Sequence, residues 1–343
     1  MSNQLNTTTE NYEGFEVKLQ AETRQLASRQ DHSAYGSYED GNSKIYWTVT
    51  FDGHGKHQAI EKIRRADLNM IMKSSTPWLH LQVLLESDSE TSDVKLRSGS
   101  TMVLTKIHIL KDEIQVVVTN IGDSRAVVFV NHVPVFVTTP HSSDNASEIV
   151  RLIKEKRVDV NSVFSKNGMS FEFISPTTLR TISLGTYVCF KSHIGQHELA
   201  MTQSLGHNGI TGLKPDTTVI HCKLTDHIHV CMCTDGVTDI IPINGLDSHD
   251  TFSLMTSSTT MLLDEAERRW KQTWFVQEGM DLRRLPKTKF PKDGYDDCSC
   301  TMLTVQPILS SETELPTEEQ QESLTAADAK VLSVEEQECL ASY

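Results

Sequence analysis

Phe51-Asp52-Gly53-His54-Gly55 is the segment that most narrows what this chain can become. Ahead of it, Ile45, Trp47, Val49 and Phe51 alternate with polar residues, the period of a half-buried strand. Behind it, Ala59, Ile63, Ala66 and Met70 recur at spacings of 4, 3 and 4, which puts them on one face of a helix. The period therefore changes across a pentapeptide that carries a carboxylate, an imidazole and two glycines. Glycine on each side of His54 lets the backbone bend tightly and brings a carbonyl within reach of a ligand.

Three more aspartate-bearing segments sit at strand ends or turns. Gly122-Asp123-Ser124-Arg125 lies between strand candidates Ile114–Thr119 and Ala126–Val130, which read together as a hairpin. Thr234-Asp235-Gly236-Val237-Thr238-Asp239 follows the strand His227–Cys233, and Asp296-Asp297-Cys298 precedes the strand Thr301–Val305. Ser142–Lys156 reads as a helix with Ile149, Leu152 and Ile153 facing inward. Residues 158–198 have no clear period and read as an irregular excursion. Strands grouped in hairpins, without regular βαβ units, favour an α+β layered domain with antiparallel sheet.

An Asp-Gly at a strand end is ordinary turn chemistry, and a single Gly-Asp-Ser is no different. The set carries more than its members. Carboxylates at the same ends of several strands can converge, and such a cluster cannot stay ionised without cations. All-oxygen ligands with bound water suit Mg2+ or Mn2+ rather than zinc.

Along the chain stand Phe51–Gly55, Gly99-Ser100-Thr101, Asn120–Ala126, Ala200–Gly206, Thr234–Asp239 and Asp297-Cys298-Ser299-Cys300-Thr301. These blocks resemble, in the same order, the signature motifs of metal-dependent Ser/Thr protein phosphatases of the type-2C (PPM) family, over roughly residues 24 to 306. The resemblance implies two stacked antiparallel β-sheets flanked by helices, with a two-metal site at one end. It implies that Asp52 bridges two Mg2+ or Mn2+ ions, that the Gly53 carbonyl binds one, and that Asp235 and Asp297 hold the other. Asp123 and Asp239 match positions linked with a weaker third ion, and Asp31 matches the acidic position of the N-terminal motif. Ions about 4 Å apart activate a water against a phosphoryl group, and His54 matches the candidate acid for the leaving alkoxide. Phosphorylated proteins are then the expected substrates.

The pattern is broken in places. Gln30 stands where the N-terminal motif has Glu, which removes one charge from the metal site. The arginine that grips the substrate phosphate is replaced by Leu26, leaving Arg24 as the candidate and Arg29 as the alternative with a shifted loop. Gln203, His207 and Cys298 replace the expected Arg, Asp and Asn. Asp52, Gly53, Asp235 and Asp297 are retained, which favours an enzyme over a pseudophosphatase scaffold that keeps the fold and binds partners. The resemblance implies that residues 158–198 take the place of the flap beside the active site.

The two pairs Cys231-x-Cys233 and Cys298-x-Cys300 raise a zinc reading, but residues i and i+2 of a strand share a face, so buried small side chains explain them as well. Seven cysteines without a regular framework or an export signal point to reduced thiols in a cytoplasmic or nuclear setting. The net charge of −14 argues against nucleic acid, and no apolar run reaches the roughly 18 residues that span a bilayer. Residues 310–343 hold nine acidic side chains and one lysine, a net of −8. The expected organisation is a disordered lead-in over 1–15, a catalytic domain over 16–306 and an acidic, disordered tail over 307–343 that offers a protein partner a docking segment.

Overall fold

The computed structural model describes residues 4–41, 43–87, 95, 97–192, 195–243, 249–277 and 287–308. Among them the strands fall into three sheets. The first is six-stranded: β1 (Gln4–Tyr12), β2 (Phe15–Arg24), β18 (Cys298–Pro307), β15 (Ile228–Cys233), β8 (Arg125–Val130) and β9 (Val133–Val137), in that order. The second runs β13 (Leu205–Gly206), β5 (Ser98–Ser100), β4 (Ser43–Gly55), β6 (Met102–Ile109), β7 (Ile114–Ile121) and β14 (Asp216–Cys222), with β3 (Asp31–Asp40) also on β4. The third and smaller one joins β10 (Val163–Ser175), β11 (Thr178–Ser192), β16 (Trp274–Gln277) and β17 (Lys287–Thr288), with β12 (Gly195–Leu199) on β11.

The two large sheets stack through their inner faces, where Val17, Leu19, Val103, Val116, Val118, Val128, Val230 and Val305 share one core. Helices cover the outer faces. α1 (Gln58–Arg65), α2 (Leu68–Met72) and α3 (Pro77–Glu86) pack on Trp47, Val49 and Phe51. α4 (Ala146–Lys154) packs Leu152 against β11 residues Val188 and Phe190. α5 (Asp235–Thr238), α6 (His249–Met255) and α7 (Thr259–Lys271) pack on Val127, Cys231 and Cys300. This is the expected α+β sandwich of antiparallel sheets flanked by helices, with a third sheet added.

Period-2 alternation explains where the site forms. Along β4, Trp47, Val49 and Phe51 face the helices, and Tyr46, Thr48, Thr50 and Asp52 face the opposite sheet. The inner layer is apolar at one end, turns to hydroxyls at Thr50 and Thr301 (3.2 Å apart), and ends in carboxylates.

Several expectations are corrected. β4 is buried on both faces rather than half-buried, because helices cover its outer side. The helix read through Met70 breaks after α1, and Met70 is 66% exposed. The lead-in is not disordered over residues 4–15: β1 pairs with β2 through a turn in which Glu13 and Gly14 both have positive φ. As an edge strand it needs no apolar alternation, which hid it. Strands β7 and β8 form no hairpin; the chain crosses between sheets at Gly122–Ser124, whose amide and carbonyl bond His141 instead. The excursion 158–198 is an antiparallel hairpin whose register shifts near Asn167 and Phe173, which erases a clean period. Cys231 Sγ lies 3.7 Å from the sulfurs of Cys233 and Cys300, while Cys298 Sγ turns to the Gly236 carbonyl, so the four do not form one site. The expected tail, beyond Ile308, lies outside the described residues.

Candidate metal centre

Both large sheets deliver aspartates to the same end of the sandwich. Asp31 opens β3 and sits directly across from Asp52 on β4. Asp123 lies in the crossover, Asp235 opens α5 behind β15, and Asp296 and Asp297 precede β18. Carboxylate oxygens of Asp52, Asp123 and Asp235 lie within 4.8 Å of one another. Asp31 accepts a hydrogen bond from Thr234 Oγ1 at 2.7 Å, and Thr234 in turn accepts the Ser299 amide.

Two glycines allow this convergence. A Cβ on Gly236 would lie 1.9 Å from the Asp297 carbonyl oxygen, so only glycine lets the Asp235 and Asp297 segments touch. A Cβ on Gly53 would lie 2.7 Å from the Gln30 carbonyl oxygen, which accepts the Gly53 amide.

The cluster is electrostatically unsettled by itself. Burial, reinforced by Asp235 and Asp31, pushes the Asp52 carboxyl well above the usual carboxylate range. Burial and Asp296 do the same to Asp31, and burial and Asp235 do so to Asp296. Asp123 and Asp235 are pushed up to about 6, chiefly by burial. Asp123 Oδ1 and Asp235 Oδ1 have no hydrogen-bond partner. Orphaned, mutually repelling hard oxygens are what a divalent cation of the Mg2+ or Mn2+ kind would satisfy, so the residues fit such an ion.

The other sequence-predicted residues divide. Asp239 lies one turn beyond Asp235, exposed, and is near enough to act electrostatically on the cluster's margin. Asp297 is fully buried and is engaged by the amides of Leu26 and Gln30 and the hydroxyl of Ser28, so it holds the 26–30 loop. Each oxygen keeps a second lone pair, so this does not bar a cation. Asp296, which the sequence reading passed over in favour of its neighbour, joins the repelling cluster. Its signal was the doubled Asp itself. Gln30 sends its side chain to the Gly55 carbonyl at 3.3 Å rather than to the cluster.

Arg24 is no phosphate grip, contrary to expectation. It is 7% exposed and bonds Glu22, Asp264 and Glu267 at 2.6–3.0 Å, so three carboxylates consume its charge. Leu26 packs into the helix-covered core, which explains the missing arginine there. His54 Nε2 lies 3.0 Å from Ser204 Oγ, and its ring stacks on His207 at 4.8 Å. Burial pushes its imidazole down to about 4, so it is neutral at pH 7.

The chain matches the family described as Protein phosphatase 2C over residues 15–244. No curated protein sequence matches it. Among solved structures it is similar to a Toxoplasma gondii serine-threonine phosphatase 2C, at 14% identity over 89% of this chain and 99% of that one, with a TM-score of 0.49. A C. elegans sex determining protein is similar at 17% identity and a TM-score of 0.45; the match takes in 86% of this chain and 66% of that one. A Mycobacterium tuberculosis serine/threonine phosphatase is similar at 16% identity over 80% of this chain and 99% of that one, with a TM-score of 0.42.

Proposed function

The chain belongs to the protein phosphatase 2C family, and from that premise we propose that it hydrolyses phosphoserine and phosphothreonine in proteins with Mg2+ or Mn2+ as cofactor. The observation that carries this reading is the knot of Asp52, Asp123 and Asp235, buried enough to repel one another and left with orphaned oxygens. Asp52, the Gly53 carbonyl, Asp235 and Asp297 would hold two ions, with Asp31 and Asp296 beside them and Asp123 and Asp239 serving a weaker third. Bound divalent ions supply an activated water and neutralise charge on the phosphoryl oxygens. The protein's own part is to fix the carboxylates from both sheets and to exclude bulk water from beneath them. His54 contributes as a neutral hydrogen-bonding group with one N–H, because burial pushes its imidazole down to about 4 and the second proton of an imidazolium is absent at pH 7.

One set of observations favours a second reading, a pseudophosphatase scaffold that keeps the fold and binds partners without efficient catalysis. Asp297 is committed to a loop, Arg24 to three carboxylates, and Gln30 turns away from the cluster. Hydrolysis of p-nitrophenyl phosphate and of a phosphothreonine peptide decides between them. Turnover that requires millimolar-range Mn2+ or Mg2+ and stops in EDTA supports the enzyme. Absence of turnover with every divalent ion supports the scaffold. We also propose a reducing compartment, cytoplasmic or nuclear, a reading supported by the six described cysteines, all free thiols. Fractionation of expressing cells tests that placement.

A further inference from the structure

Beside the carboxylate centre a cavity of about 490 Å3 is bordered by Arg29, Arg64, Thr23, Ser33, Gln25 and Asp31. Asp31 belongs to both places, since its carboxylate bonds Thr234 within the centre. Arg64, on α1, donates through one nitrogen to the carbonyls of Arg29 and Asp31, at 3.0 and 2.8 Å. Arg29 has a left-handed backbone (φ 59°), uncommon for a non-glycine residue. That kink lets its carbonyl meet Arg64 and the next amide cap Asp297, while the Arg29 side chain stands exposed at the cavity. Among the described residues no carboxylate lies within ion-pair reach of either guanidinium, whereas Arg24, Arg151 and Arg268 are all paired. In a chain of net charge −14, two arginines without an ion-pair partner thus border one cavity, together with the Thr23 and Ser33 hydroxyls, which lie 2.8 Å apart.

We propose that this cavity binds a phosphate monoester on a phosphoprotein, separate from the phosphate offered to the carboxylate centre, so that the protein selects segments phosphorylated at two neighbouring positions. Planar guanidinium forks match phosphate oxygens in pairs, which a side-chain carboxylate satisfies less fully. A phosphate monoester gains its second charge near pH 6, so affinity rises through that region. The consequence for substrate choice rests on the phosphatase reading; the binding itself does not.

The test uses the full chain in EDTA, where the carboxylate centre repels phosphate, with a fluorescent threonine peptide carrying two, one or no phosphates or glutamates in their place. Anisotropy is expected to show binding of the phosphorylated forms, weakened about tenfold or more by Arg29→Glu and by Arg64→Gln. Equal affinity for the unphosphorylated peptide, or parental affinity in both arginine variants, overturns the proposal. Turnover of p-nitrophenyl phosphate with Mn2+ is read in parallel. Binding that depends on Arg29 without any turnover sinks the catalytic reading and leaves the cavity standing. Turnover without phosphate-dependent binding does the reverse.

Discussion

Asp296 and Asp297 are neighbours with different partners. Asp297 gathers the Leu26 and Gln30 amides and the Ser28 hydroxyl, while Asp296 faces Asp235 and is pushed up by burial. Asp297→Ala is therefore expected to cost about 2–3 kcal/mol in urea unfolding, because charge-assisted hydrogen bonds are lost and the loop amides are left buried. Asp296→Asn should leave the metal-free protein as stable or more so, since a repelling member goes neutral. Equal destabilisation by both would remove the distinction. Asp235→Asn should weaken Mn2+ in calorimetric titration by at least tenfold and lower any turnover by several orders of magnitude. The aspartate blocks were legible because short motifs place them at strand ends. Which oxygen goes where was not, because Asp297 is read by a loop some 270 residues earlier in the chain. Arg24 shows the same blindness: Glu22, two residues away on the same strand face, was the one local hint, and Asp264 and Glu267 lie far along the chain.

At the level of elements, Arg24 pins α7 to β2. Glu22 accepts Arg24 and the hydroxyls of Thr259 and Thr260, so the start of the helix and its middle are both tied to the strand. Arg24→Ala should cost about 3–5 kcal/mol, since Glu22 is left buried without its cation. A fall in thermal stability with phosphate affinity retained fits this tie; lost phosphate affinity in a fully stable variant would return Arg24 to the substrate site. Strands β4, β15 and β18 were legible through apolar runs and alternation. Strand β1 was not, because its side chains are mostly polar and its one covered edge is a backbone edge. Removing residues 1–12 should lower the melting temperature by several degrees, as the β2 edge and the Thr8–Tyr35 bond are lost. An unchanged melting curve would restore the disordered lead-in.

For the whole molecule, the carboxylate cluster couples folding to pH. Asp31, Asp52 and Asp296 bind protons more tightly folded than unfolded, and Asp123 and Asp235 titrate near 6. Groups with raised folded values contribute stability that is complete below the ordinary carboxylate range, about 4, and is lost as pH rises through their folded values. In EDTA the melting temperature should therefore fall between pH 5 and pH 8, and saturating Mn2+ should flatten that slope at the alkaline end. A metal-free protein that gains stability over this interval would contradict the assignment.

The register of β18 carries one more consequence. It lies between β2 and β15, pairing residues 298–307 with residues 15–24. During synthesis β2 is made early, yet one of its edges stays open until nearly all of the described chain has left the ribosome. Nothing local can seal that gap, so closure waits on a loop of more than 270 residues and is expected to be slow. Nascent chains halted before residue 298 expose two open edges in the same sheet, those of β2 and β15, and should depend on chaperones or aggregate, whereas chains extended through residue 307 should not. The last described strand is the keystone of one of the two sheets that bring the clustered aspartates together, so a chain halted before it cannot assemble that cluster.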